Sequence, residues 1–321
     1  MAYKNEFKKM NLYIVTTTIN LPTLATRRFA QIAAERGYTM VVVGDLKTPH
    51  QAYHELENQY GNAFVYLTPE QQEEMYPELS NTIGWKSIQR RNIGFVYAYH
   101  QGADIVATVD DDNIPYDDWA TDLVVGKEIE IDLYDHNQAH SIFDPLSVTE
   151  YDHLWHRGYP IELVPDKNLI AYQGRTNREV LIQADFWDGD PDIDAICRLS
   201  HKPVVKFKHF KPFGCFGIAP FNSQNTFIAR KALPKYSVLP HIGRMDDIWA
   251  SYILQHYFPQ SVVYNRASVY QARNPQDLVT NLENEVIGYR NTLSLIQDLD
   301  NYQTYLPDAT KKFWEVYQNQ F

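Results

Sequence analysis

Apolar and polar positions alternate along the first half of the chain in blocks that read as strands and helices by turns. The segment NLYIVTTT (11–18) is an apolar run that ends on three hydroxyls. LATRRFAQIAAERG (24–37) has helical spacing at Leu24, Phe29, Ile32 and Ala33, with Gly37 as a stop. YTMVVVGD (38–45) is apolar at consecutive positions, the pattern of a parallel strand covered on both faces. GNAFVYLT (61–68) predicts a third strand, Trp85 to Gln101 a helix ended by Gly102, and Ile105 to Val109 a further strand. Strand and helix in this rhythm imply a twisted, mostly parallel α/β sheet flanked by helices.

The second half is less regular. GYPIELVP (158–165), FWDGDPDIDA (186–195) and the stretch 210–233 read as short strands and turns, and a helix is expected from Asp246 through DDIWASYILQHYF. Beyond Asn274-Pro275 a helical face repeats at Leu278, Leu282, Val286 and Tyr289, followed by a tail bearing Phe313, Trp314 and Tyr317. The expected organisation is one domain over 1–275 with a helical C-terminal extension over 276–321, its aromatics packed on the body.

In an open parallel sheet, ligands bind outside the carboxyl ends of the strands. Here those ends carry Thr16-Thr17-Thr18, Gly44-Asp45 and Asp110-Asp111-Asp112. Three adjacent carboxylates resist ionising together unless a cation or several donors compensate them. An acidic turn through Asn113-Ile114-Pro115 is the plain alternative. At the end of so apolar a strand, a hard divalent cation held by one or two carboxylates and a ligand's phosphates fits better.

Composition narrows the classes. The net charge of −11 argues against a nucleic-acid partner, whose phosphates call for Lys and Arg, but leaves a nucleotide open. Two cysteines, Cys197 and Cys215, form neither a disulfide framework nor a zinc spacing. MAYKNEFKKM has no leader-like apolar core, and no window approaches the roughly 18 apolar residues of a membrane helix. The expectation is a soluble, cytoplasmic protein without a transmembrane segment; its oligomeric state is open.

Further candidates follow from chemistry. Lys86, Arg90 and Arg91 are possible diphosphate donors, with only one of the adjacent arginines able to face a site. In GRMDDIW, Asp246 or Asp247 is either a helix cap or a general base on an acceptor hydroxyl. WDGDPDIDA offers Trp187 beside Asp188, Asp190, Asp192 and Asp194, an acidic loop or a sugar-binding wall.

Taken in order, VTTTI, MVVVGDLKTP and RRNIGFVYAYHQGADIVATVDDDNI resemble the STELLO-type glycosyltransferases. RGYPIEL, FWDGDPDIDA, NSQNTFIA and GRMDDIWASY are similar to the reversibly glycosylated polypeptide (UDP-arabinopyranose mutase) family. The resemblance implies a GT-A-like, Rossmann-like nucleotide-diphosphosugar transferase fold with DDD as its DxD-type element. It implies a donor, most simply a UDP-sugar, and Mn2+ or Mg2+ held by Asp110 and Asp112. Thr16, Thr17, Thr18, Asp45, Asp110 and Asp111, with Lys86, Arg90 and Arg91, would bind the nucleotide sugar. Trp187, Asp190, Asp192 and Arg244 would face sugar or acceptor (a glycan, lipid or protein), and Asp246 and Asp247 would be catalytic. Two departures stand out: Val164 occupies the place of the glycosylated arginine of the mutase family, and SVYQARNP supplies no late metal-ligating histidine. Ring-form interconversion of a UDP-sugar and a non-catalytic scaffold remain the alternatives.

Overall fold

β-Branched and apolar residues at every position make Leu12–Thr18 (β1) and Thr39–Gly44 (β2) the buried centre of the fold. The structure is a computed structural model and describes residues 10–136, 141–273 and 276–321. The reading of residues 1–9 as leader-free, and the break at Asn274-Pro275, lie outside the described residues.

β1 pairs in parallel with β2 and with Ile105–Val109 (β4), and β2 pairs in parallel with Phe64–Leu67 (β3). On the far side of β4 lies Asn225–Ala229 (β10), antiparallel to β4 and to Ile182–Gly189 (β8). Val262–Gln271 (β11) runs parallel to β8. The inverted β10 therefore leaves β1, β2, β3, β4, β8 and β11 pointing one way, with their carboxyl ends on one edge. Asn113–Pro115 (β5) pairs with the end of β11, while Phe213–Cys215 (β9), Glu128–His136 (β6) and Ile170–Glu179 (β7) extend the sheet on the other side. The expected α/β architecture with a large, mostly parallel sheet is the one observed.

Helices cover the sheet. Leu24–Arg36 (α1) starts on a Thr23 cap and stops at Gly37, which takes the left-handed φ of 69° that glycine permits. His50–Tyr60 (α2), Pro69–Met75 (α3) and Pro77–Ile83 (α4) are helices that the sequence pattern did not announce. The helix expected from Trp85 begins only at Arg91 (α5, Arg91–His100), because Lys86 holds a left-handed φ of 59° and Ser87 is extended. Gly94 lets α5 approach β1 and β2: a Cβ there would lie 2.5 Å from Val15 Cγ1 and 2.9 Å from Val43 Cγ2.

The second half corrects several expectations. Ile161–Asp166, expected as a strand, is a 3-10 turn that starts after Pro160 and contains Pro165. The acidic loop is divided: Asp188 belongs to β8, and Asp194 caps Ala195–His201 (α6). Asp246–Tyr257 (α7) is as expected, and Leu278–Gln297 (α8) exists, but its buried face is Glu285, Gly288, Thr292 and Leu295. Val286 is exposed. The face turns because α8 packs on the turn at 243–245, where a Cβ on Gly288 would meet Met245 Sδ at 2.5 Å. In Asp308–Gln318 (α9) the aromatics Phe313, Trp314 and Tyr317 are buried, and Tyr317 donates to Tyr236 O at 2.7 Å. Among the described residues no helix is long and apolar enough to cross a membrane.

Two carboxyls are locked inside this scaffold. Burial pushes Asp185 up to about 7 despite bonds from Gln183 and Ser268, and pushes Asp194 up to about 7 despite its cap bond to Cys197 N. A pKa higher in the folded chain than in the unfolded one gives stability below about pH 4 that is lost as pH rises through about 7. The ligand-free protein is therefore expected to melt several degrees lower at pH 8 than at pH 5. A flat or rising melting temperature between those pH values contradicts this.

Candidate active site

The three aspartates after β4 turn three different ways. Asp110 forms an ion pair at 2.5 Å with Arg91, whose guanidinium also donates to Ser223 O at 2.8 Å and Ser223 Oγ at 3.0 Å. Burial raises the pKa of Asp110, and the Arg91 charge opposes it. Asp111 turns to the end of β1, where it accepts bonds from Thr18 Oγ1 at 2.5 Å and Asn20 Nδ2 at 2.9 Å. Asp112 receives no hydrogen bond from any other described side chain, and burial and then the Asp110 charge push it up to about 7. The cluster is thus hydrogen-bonded at two positions, while at the third only the nearby Arg273 charge offsets the burial.

The aspartates stand between two cavities on the carboxyl edge. The smaller, about 250 Å³, is lined by Thr17, Thr18, Asn20, Asp45, Lys47 and Asp111. Asp45 is held there by Leu46 N at 2.6 Å and Ser87 N at 3.0 Å. The larger, about 590 Å³, is lined by Asp110, Asp112, Arg157, Arg244, Asp246, Asp247 and Arg273, among others. Lys86, Ser87 and Ile88 line both, so the two cavities adjoin along one wall.

Opposite the aspartate turn, the start of α7 brings in Asp246 and Asp247, which the environment separates. Asp247 accepts from Arg157 Nη1 at 2.9 Å and Nη2 at 3.2 Å, and from Ser223 N at 2.8 Å. Burial alone would raise its pKa, but the Arg157 guanidinium wins and holds it below the usual carboxylate range. Arg157 also grips Asp192 with two bonds, at 2.8 and 2.9 Å, and Asn222 completes that carboxylate at 2.9 Å. Asp246 receives only Gln89 Nε2 at 2.8 Å and its neighbour's amide at 3.0 Å. Burial, then the Asp247 charge, push Asp246 up to about 7. Two adjacent carboxyls with pKa values driven apart are the arrangement that lets one remain a fixed charge while the other exchanges protons near neutrality.

Of the residues singled out in the sequence, Thr17, Thr18, Asp45 and Asp111 meet at the small cavity, and Asp110, Asp112, Arg244, Asp246 and Asp247 at the large one, with Lys86 at both. Others are placed elsewhere. Thr16 is buried inside β1. Arg90 is buried against Gln72, Ser80 and Gly84 with Trp85 stacked on its guanidinium, so it is no diphosphate donor. Arg91 lies behind Asp110 rather than on the cavity wall. Trp187 is 2% exposed and packs on Phe186 and His156, because β8 is covered on both faces; it is core, not a sugar wall. Asp192 is fully buried under Arg157, and Asp190 pairs with Arg198 outside the lining. Sequence reasoning missed Arg157, Ser223, Gln89 and Arg273; a buried arginine and a surface arginine look alike in a single sequence.

Among the described residues no group of three or more His, Cys, Asp and Glu side chains is gathered to hold a metal. The carboxylates of Asp110 and Asp112 on one wall suit a hard cation whose remaining ligands are phosphate oxygens and water.

The chain is 22% identical over 274 residues to a protein of Arabidopsis thaliana described as probable glycosyltransferase STELLO1, a match covering 78% of this chain. It spans about a third (33%) of the length of that curated relative. No protein-family model matches. Among solved structures, the chain is similar to a mycobacterial protein (10% identity, TM-score 0.44, 91% of this chain and 75% of that one). It is also similar to the mannosyltransferase PcManGT of Pyrobaculum calidifontis in complex with GDP-Man and Mn2+ (10%, TM-score 0.42, 98% and 74%). The third is TarS 1–349 of S. aureus (10%, TM-score 0.42, 97% and 90%).

Proposed function

We propose that the chain is a glycosyltransferase that takes a sugar from a nucleotide-diphosphate donor, a UDP-sugar, with the help of Mn2+ or Mg2+. The observation that carries this reading is the pair of adjoining cavities with the aspartate turn between them. A nucleoside fits the small cavity, with Thr17, Thr18, Asp45 and Asp111 around it. The diphosphate crosses the aspartates, and sugar and acceptor share the large cavity with Asp246. The similarity to a protein described as a probable glycosyltransferase supports the same class.

Asp110 and Asp112 would hold the cation, which supplies charge neutralisation for the leaving diphosphate. Asp246 is the general base: it takes the proton of an acceptor hydroxyl as that oxygen attacks the anomeric carbon and the bond to the β-phosphate oxygen breaks. Such a single displacement inverts the anomeric configuration. Asp247, fixed by Arg157 and Ser223, keeps the start of α7 in place. The acceptor is a glycan, lipid or protein. Val164, in the 3-10 turn at 161–166, lines neither cavity, which favours transfer over the mutase chemistry.

The test is thermal unfolding with UDP, GDP and UDP-sugars, each with manganese or chelator. A UDP-selective, manganese-dependent rise of several degrees is expected, since a ligand of the native state stabilises by mass action. Chromatography of the donor then distinguishes transfer from ring-form interconversion, which needs no acceptor. A folded protein with a flat response to every nucleotide sinks the reading.

A further inference from the structure

Arg273, just beyond the end of β11, is a cation the protein satisfies only in part: its Nη2 donates to the Gln271 amide oxygen at 3.1 Å, with that amide turned to suit its neighbours. Its side chain is only 5% exposed, it lines the large cavity, and its Nε lacks a hydrogen-bond partner. The nearest carboxylate, Asp190, is 3.5 Å away and already paired with Arg198. Asp192 is committed to Arg157. Glu285 accepts Arg244 Nε at 2.8 Å, Ala195 N at 2.7 Å and the Tyr289 hydroxyl at 2.6 Å. Arg198 and Arg244 lie near enough for their charges to act against that of Arg273. Arg273 thus has Asp190 at 3.5 Å and the Asp112 charge near it, yet its Nε makes no hydrogen bond in a buried place where an unmet donor is costly.

The position of Arg273 says which anion is missing. Asp111 lines the nucleoside cavity with Thr18 and Asp45, while Asp110, Asp112 and Arg273 line the adjoining large cavity, where the Arg273 charge acts on Asp112. The phosphate further from the nucleoside is the group that reaches it. We propose that Arg273 binds the β-phosphate of the nucleoside diphosphate, so that part of the leaving-group charge is carried by a guanidinium and not by the metal. This rests on the nucleotide-sugar reading above. A planar guanidinium makes paired, charge-assisted bonds to phosphate oxygens, and the free Nε adds a donor.

Affinities of UMP and UDP for the wild type, Arg273→Gln and Arg273→Lys, measured by calorimetry with chelator and with manganese, test this. The wild type is expected to prefer UDP to UMP even in chelator. Arg273→Gln should weaken UDP about 10–100-fold while leaving UMP within about twofold, and Arg273→Lys should fall between. Without ligand, Arg273→Gln should melt at or above the wild-type temperature, because it removes a buried guanidinium whose Nε has no hydrogen-bond partner. Three results overturn the proposal: unchanged UDP affinity in Arg273→Gln, equal losses for UMP and UDP, or a clearly lower ligand-free melting temperature. Unchanged UDP affinity with lost turnover would place the anion on the acceptor instead. A wild type that binds neither nucleotide overturns the nucleotide-sugar reading itself.

Discussion

Replacing Asp112 with alanine is expected to remove manganese-dependent binding of a UDP-sugar and to lower transfer by about 10³-fold or more, while the ligand-free protein melts no lower than the wild type. The reason is the unequal compensation of the three aspartates. Asp112 has no side-chain donor, and burial next to Asp110 pushes it up to about 7, so its removal relieves an electrostatic cost instead of breaking a bond. Alanine at Asp110 should behave differently. It leaves the buried Arg91 without its carboxylate, and stranding one member of such a pair costs about 3–5 kcal/mol. Alanine at Asp111 unties Thr18 and Asn20 and should loosen the small cavity, raising the donor KM more than it lowers kcat. Titration calorimetry with manganese, melting curves and turnover together distinguish the three patterns. Unimpaired manganese-dependent binding in Asp112→Ala would remove the metal from this turn.

The sequence made the sheet and its working edge legible because both come from local patterns. Runs such as MVVVG and IVATV must be buried on both faces, and where such a run stops on hydroxyls or carboxylates the strand has reached the edge. Long-range pairing is where the reading failed. Nothing near Arg157 in the chain indicates that it will be clasped between Asp192 and Asp247, 35 and 90 residues away. Trp187 looked like a sugar platform because it stands among carboxylates, but strand alternation in a sheet covered on both faces puts it in the core. Arg90 and Arg91 seemed equivalent on a helix face. A 3-10 turn before α5 instead sends Arg90 to Gln72 and Arg91 to Asp110. The C-terminal extension also reaches the candidate site, which its separate helical pattern did not imply. Asn284 lines the large cavity, and Glu285 holds Arg244 beside it.

The pH dependence of transfer is the most direct probe of how Asp246 and Asp247 divide their work. Asp246 is pushed up to about 7 by burial and by the neighbouring Asp247 charge. A base must be unprotonated, so below that value the active fraction should rise about tenfold per pH unit and level off above it. Asp246→Asn keeps the shape, and its Oδ1 still accepts the backbone amide of Asp247. Transfer should nevertheless fall about 10²–10⁴-fold, the usual contribution of a positioned base, and the rise between pH 6 and 8 should disappear. Donor affinity should change little, because the aspartate turn is untouched. Asp247→Asn makes the opposite test: its partner Arg157 is left with Asp192 alone, so the variant should lose stability and activity together but keep the same pH limb. If the pH limb survives in Asp246→Asn and vanishes in Asp247→Asn, the roles are reversed. The salt bridge to Arg157 would then have to open in the complex to free the base.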